Sequence, residues 1–176
     1  MQDRQPGGAG LPSGRMEDSR EFVFRALGAD DAAAAALVIR SAFASQSVAT
    51  DPPPSALKET TESVTASLAA PHQGGIGAWT GATLAGCVMW QVQARGLYLG
   101  RLSVAPAFRR RGLAPLLVEA AEAEARRQGL PRLLLSTRLV LADNRRLFAR
   151  CGFVEAQHHA HPGYAHPTFV DMEKSL

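Results

Sequence analysis

Leu97-Tyr98-Leu99-Gly100-Arg101-Leu102-Ser103-Val104, followed within a few residues by Arg109-Arg110-Arg111-Gly112-Leu113-Ala114, is an apolar run that gives way to a basic, glycine-bearing loop. Pro106 marks the end of the run, which reads as a strand. Beyond the loop Leu113, Leu116, Leu117, Ala120 and Ala121 recur at three- and four-residue spacing, which predicts a helix with one buried face. A helix N-terminus carries unpaired backbone N–H groups and a partial positive charge, so it suits a phosphate. Gly112 would let such a ligand approach the backbone closely, and the arginines add charge and forked donors. An arginine run alone reads as a solvated charged surface. The strand–loop–helix order makes phosphate binding the better reading.

Working outward, Met1 to about Arg20 is rich in Gly, Pro and charge and is expected to be a flexible arm, leaving residues 21–176 as a single domain. Glu21 to Ala26 alternates as a first strand. Asp30 is the expected cap of a helix over Ala32 to Phe43. Asp51-Pro52-Pro53-Pro54 breaks the chain, and a second helix is expected from Ser55, with Leu57, Thr61, Val64 and Leu68 on one face and His72-Gln73-Gly74-Gly75 as its stop. Ile76 to Thr80 and Leu84 to Gln93 read as a hairpin turning at Gly81-Ala82-Thr83. The helix after the basic loop is expected to run to Gln128 and stop at Gly129 and Pro131. Leu133 to Arg138 reads as a strand, Asn144 to Arg150 as a helix closed by Gly152, and Phe153 to His158 and Thr168 to Glu173 as the last strands. The order β-α-α-β-β-β-α-β-α-β-β implies a mixed sheet with helices on its faces.

The chain has 176 residues, enough for one domain with a substantial core. No run approaches the ~20 apolar residues of a membrane span, and nothing near Met1 reads as a signal peptide, so a cytoplasmic protein is the expectation. Nineteen Lys and Arg against 16 Asp and Glu give +3, which suits an anionic cofactor and is too small an excess to argue for nucleic acid. Cys87 and Cys151 read as buried thiols, and no metal-ligand spacing built from cysteine exists.

Arg109, Gly112 and Ala114 also fit a known signature: Arg or Gln, two residues, Gly, one residue, then Gly or Ala, between the fourth strand and third helix of the Gcn5-related N-acetyltransferases. Val104 and Pro106 resemble the strand end that precedes it in that family. Asn144-Arg145-Arg146-Leu147-Phe148-Ala149-Arg150-Cys151-Gly152-Phe153 resembles the family's fourth helix with its Gly-Phe ending. The resemblance implies an α/β protein with a mixed, mostly antiparallel central sheet flanked by helices, the acyl-CoA N-acyltransferase fold. It implies acetyl-coenzyme A as co-substrate, its pyrophosphate held by the loop formed by Arg109, Arg110, Arg111, Gly112, Leu113 and Ala114. Leu102, Ser103 and Val104 would lie along the thioester, with the strand end pairing with the pantetheine arm and supplying an N–H to its carbonyl.

Two positions depart from the family. Where relatives often carry a tyrosine that protonates the leaving thiolate, this chain has Phe148, which cannot donate and reads as packing. The usual coenzyme-contacting asparagine is displaced; Asn144 is the nearby candidate, and equally a polar residue at a helix start beside Asp143.

On the acceptor side Glu59 would be a base or an amine-binding carboxylate, or simply a first-turn complement to its helix dipole. Four of the five histidines crowd the segment from His158 to His166. A proton relay through His161 or Tyr164 would fill the position that Phe148 leaves, and a solvated, proline-stiffened loop is the plainer reading. No Asp or Glu near these histidines completes a metal site. The expected activity is transfer of an acetyl group to a primary amine of a small molecule or protein by direct attack. The alternative is a non-catalytic acyl-coenzyme A binding module. Exposed final strands could pair into a homodimer.

Overall fold

A computed structural model describes residues 21–176, so the expected arm at residues 1–20 lies outside the described residues. Seven strands form one sheet: β1 (Val23–Ala26), β2 (Gln73–Thr80), β3 (Thr83–Gln93), β4 (Gly96–Val104), β5 (Arg132–Arg138), β6 (Val154–His159) and β7 (Phe169–Ser175). Four helices, α1 (Ala32–Ala44), α2 (Thr61–Ala69), α3 (Leu113–Arg127) and α4 (Ala142–Arg150), complete the expected order. The strands lie in the order β1-β2-β3-β4-β5-β7-β6. Every pairing is antiparallel except β4 with β5. The mixed, mostly antiparallel sheet flanked by helices is the architecture expected.

The sheet is covered on both faces, which is why its central strands are apolar on both sides. One core packs Leu113, Leu117, Val118, Ala121 and Ala125 of α3, with Phe148 of α4, against Ala85, Val88, Leu97 and Leu133 of the sheet. The other packs Ala32, Ala35, Ala36 and Ile39 of α1 and Val64 of α2 against Leu84 and Cys87 of β3. Alanine dominates the buried side of α1, so that helix lies close against the strands beneath it. Gly129, at φ +69°, ends α3 where a left-handed residue is needed. Among the described residues no helix is long and apolar enough to cross a membrane.

Three local expectations are corrected. Ser55 starts a single 3-10 turn, Ser55–Lys58, rather than the second helix. The helix begins at Thr60, whose Oγ1 accepts the Ser63 N–H at 3.1 Å while Ser63 Oγ accepts the Thr60 N–H at 2.9 Å. That reciprocal cap satisfies two backbone donors, and Leu57, left outside the helix, is exposed. Gly74 and Gly75 do not stop the helix; they lie inside β2. A Cβ on Gly74 would sit 2.4 Å from the Trp90 ring, and one on Gly75 2.9 Å from Leu27 and Met89. These glycines serve close packing. Asp30 does not cap α1 either: it lies in a 3-10 turn, Ala29–Asp31, where Asp31 accepts the Gly28 N–H at 2.8 Å and pairs with Arg25.

The feature that positions the site is a break between β4 and β5. They pair only at Leu97 with Leu133 and Tyr98 with Leu134. Farther along, β4 carries an extra residue: Cys87 opposes Ser103 but Met89 opposes Gly100, leaving Arg101 and Leu102 across from Val88 alone. A bulge bends its strand, and Arg101 stands at φ +55° within it. Beyond Tyr98 the β5-facing edge of β4 has no strand partner.

Candidate active site

Two cavities, of about 560 and about 550 Å³, open where β4 and β5 part. Both are bordered by Leu102, Leu141, Asn144 and Phe148, so they meet at the bulge of β4 and the first turns of α4.

The smaller cavity runs from Leu102, Ser103 and Val104 to Arg109, Arg110 and Ala114. Here the basic loop forms a cradle. Arg110 at φ +63° and Gly112 at φ +70° are left-handed and follow an extended Arg109, a turn conformation of the kind that directs N–H groups to one side. The N–H groups of Arg110, Arg111 and Gly112 meet no acceptor among the described residues, and α3 begins at the next residue. Among the described residues a Cβ on Gly112 would meet nothing within 4 Å. The loop therefore presents free N–H donors and open space at a helix N-terminus, which fits a phosphate group.

The three arginines do different things. Arg109 donates to the carbonyls of Ala42 at 3.0 Å and Ser45 at 3.2 Å and to Ser45 Oγ at 2.7 Å, which ties the end of α1 to the loop. Arg111 pairs with Glu21 at 2.7 Å and lies over the Phe108 ring. Arg110 alone among them makes neither a side-chain hydrogen bond nor an ion pair among the described residues. Leu113 points into the core at 2% exposure, so only its backbone is available to a ligand. Ser103 is equally buried and donates its hydroxyl to the Arg101 carbonyl at 2.9 Å. Phe148 is 7% exposed and packs edge-on against Phe153, which makes it a core residue that also borders both cavities. Asn144 stands in the first turn of α4, where the two cavities join.

The larger cavity brings together Glu59, Arg101, Arg138 and His161. Arg101, thrown out by the bulge, donates from Nε to Glu59 Oε1 at 2.8 Å and from Nη2 to Ser55 Oγ at 3.1 Å. Ser63 Oγ donates to the other Glu59 oxygen at 2.5 Å. Burial pushes the Glu59 carboxyl up, but the Ser63 and Arg101 donors outweigh it and hold the group below its ordinary range. Glu59 is thus an ionised, engaged carboxylate, poorly suited to accept a proton. It also stands before α2 rather than in its first turn, so the helix-dipole reading of it is corrected.

His161 borders the same cavity and Tyr164 does not. The His161 N–H donates to Thr168 Oγ1 at 3.0 Å, Nδ1 contacts the same oxygen, and the ring lies edge-on to Phe169. Burial and the Arg138 charge push this histidine below its ordinary value, so it is neutral at pH 7. The Tyr164 hydroxyl donates to Asp51 Oδ1 at 2.5 Å, and this bond raises the phenol's pKa. That contact joins the β6–β7 loop to the loop after α1. Tyr164, expected as a proton donor, directs its hydroxyl to Asp51 and is not among the residues that line the cavity.

Arg101 and Arg138 were not singled out from the sequence. Arg101 had a signal in its place, a lone charge between Gly100 and Leu102 in an apolar strand. Cys87 and Cys151 are free thiols, and burial raises Cys87 to about 12, which leaves it inert. Among the described residues no group of three or more His, Cys, Asp or Glu converges to hold a metal.

Residues 39–153 match the sequence model of the acetyltransferase (GNAT) family. No curated protein sequence matches the chain. Among solved structures it is similar to the PaiA N-acetyltransferase of Thermoplasma acidophilum in complex with coenzyme A, at 18% identity and a TM-score of 0.69, covering 88% of this chain and 99% of that one. It is also similar to the ribosomal-protein-S18-alanine N-acetyltransferase of Escherichia coli, at 21% identity and a TM-score of 0.68, covering 88% and 93%. A GNAT acetyltransferase of Streptococcus pneumoniae gives 21% identity, a TM-score of 0.68, and coverage of 89% and 99%. At these identities the likeness is one of fold.

Proposed function

The chain belongs to the acetyltransferase (GNAT) family, and from that premise we propose that its two joined cavities carry out one reaction, transfer of the acetyl group of acetyl-coenzyme A to a primary amine. The observation that carries this reading is the parting of β4 and β5, with loop N–H groups that have no acceptor among the described residues at one end, a separate cavity at the other, and a junction at Leu102, Asn144 and Phe148. Acetyl-coenzyme A supplies the activated acyl group and the anionic pyrophosphate. A structural relative bound to coenzyme A supports the same donor here.

The loop N–H groups from Arg110 to Ala114 bind the pyrophosphate, with Arg110, unpaired among the described residues, as the cation beside it. The unpaired edge of β4 from Leu102 to Val104 offers backbone N–H groups to the thioester carbonyl, which polarises it where negative charge develops. The acceptor amine enters from the larger cavity as a neutral nucleophile. Its nitrogen forms a bond to the carbonyl carbon, the C–S bond breaks, and the amine's surplus proton is given up. His161, neutral and facing that cavity, is the side chain suited to take that proton through Nε2, directly or through a water. Phe148 keeps the junction dry and donates nothing, so the leaving thiolate takes its proton from solvent or from the released proton. Asn144 lies within reach of both cavities and orients the donor.

Incubation of the protein with acetyl-coenzyme A and a panel of amines, read by free thiol release and by mass spectrometry, tests the proposal. Amine-dependent thiol release with an acetylated product is expected. Tight coenzyme binding without acetylation of any amine would make the chain a binding module and overturn the catalytic reading.

A further inference from the structure

Arg138 closes β5, opposite Phe169 of β7, and borders the larger cavity. Its Nη1 is fully covered yet meets no hydrogen-bond acceptor among the described residues. The other charged groups of that cavity cancel: Arg101 is paired with Glu59 at 2.8 Å, and His161 is neutral. Tyr164 and, to a lesser degree, Asp51 act on Arg138 through space, but the Tyr164 hydroxyl donates to Asp51 Oδ1 and Asp51 makes no ion pair with the guanidinium. A covered guanidinium donor with no acceptor is costly, and its planar fork matches a carboxylate.

Resting on the amine-acetylation reading above, we infer that the acceptor carries a carboxylate beside its amine and that Arg138 receives that carboxylate. Amino acids and short peptides with a free C-terminus are then favoured, and polyamines, whose further charges would face Arg138, are disfavoured. Burial lowers the Arg138 pKa from its ordinary value without removing the charge, which fits a group whose missing partner arrives with the ligand. A volume of about 560 Å³ holds a molecule of that size.

Product binding tests this apart from turnover. Calorimetric titration in the presence of coenzyme A compares a set of N-acetyl amino acids and N-acetyl dipeptides with their primary amides. At least one acid is expected to bind wild type about tenfold or more tightly than its amide. R138Q removes that difference, and R138K, which keeps the charge but loses the fork, restores only part of it. Equal binding of acid and amide, binding of neither, or an acid preference that survives in R138Q overturns the inference. If R138Q fails to fold, the wild-type comparison and R138K decide. Acetylation of neutral amines without acid preference would sink this inference and leave acetyl transfer standing. Acid-selective binding without turnover on any amine would sink acetyl transfer and leave Arg138 as a carboxylate receptor.

Discussion

Gly112 holds a left-handed backbone at φ +70° over open space, so its side chain can be varied without touching the core. Gly112→Ala strains only the backbone, by about 1–2 kcal/mol. Gly112→Glu adds a carboxylate where the pyrophosphate would lie. Calorimetry should show acetyl-coenzyme A affinity falling more than tenfold further in the glutamate variant than in the alanine variant, with similar melting temperatures. His161 gives a different signature. His161→Ala should lower turnover by about 10²-fold, the scale of general base catalysis, while coenzyme affinity stays unchanged. Because burial and Arg138 push this histidine below its ordinary 6.5, the wild-type acid limb of kcat/KM should lie below that value and vanish in the variant. The loop glycine was legible in the sequence because strand, glycine and helix periodicity are all local signals. The engagement of Arg109 by the end of α1 was not, since Ala42 and Ser45 lie more than sixty residues away.

Short-range chemistry made most of the elements readable, and its failures are instructive. The amphipathic pattern of α3 and its Gly129 stop left little ambiguity. The start of α2 was misread because Ser55 and Thr60 are both good capping residues, and only Thr60 finds a reciprocal partner, in Ser63. Thr60→Ala should therefore lower stability by about 1 kcal/mol, seen as a fall in melting temperature, whereas Ser55→Ala leaves α2 in place. The glycine pair at Gly74-Gly75 was read as a helix stop because sequence cannot show that Trp90 of the neighbouring strand lies against it. Gly74→Ala forces that ring to move and should cost about 1–3 kcal/mol, the range for an overpacked core, measurable by urea unfolding.

Across the whole molecule, Asp31, Glu59, Glu122, Glu124 and Glu155 are all held below their ordinary values, chiefly by arginine, lysine or serine donors, against the opposing effect of burial. Carboxylates lowered in the folded state bind protons more readily when unfolded. The stability they confer is complete above about pH 4.5 and is lost as pH falls through their lowered values. The melting temperature should hold from neutrality to about pH 5 and then drop, less steeply in the Glu59→Gln variant. The strand order was legible only in outline, since no local pattern reveals that β4 and β5 meet at just two residue pairs. That shortfall has a thermodynamic consequence. A sheet missing the middle of its ladder is left with backbone donors exposed to exchange with solvent, and a bound pantetheine chain would act as the absent strand. Ligand occupancy and cohesion between the two halves of the sheet are then one equilibrium, worth about 2.7 kcal/mol at a hundredfold excess over Kd. Amide hydrogens from Leu99 to Val104 are the place where that coupling would be read, as protection that grows with acetyl-coenzyme A concentration.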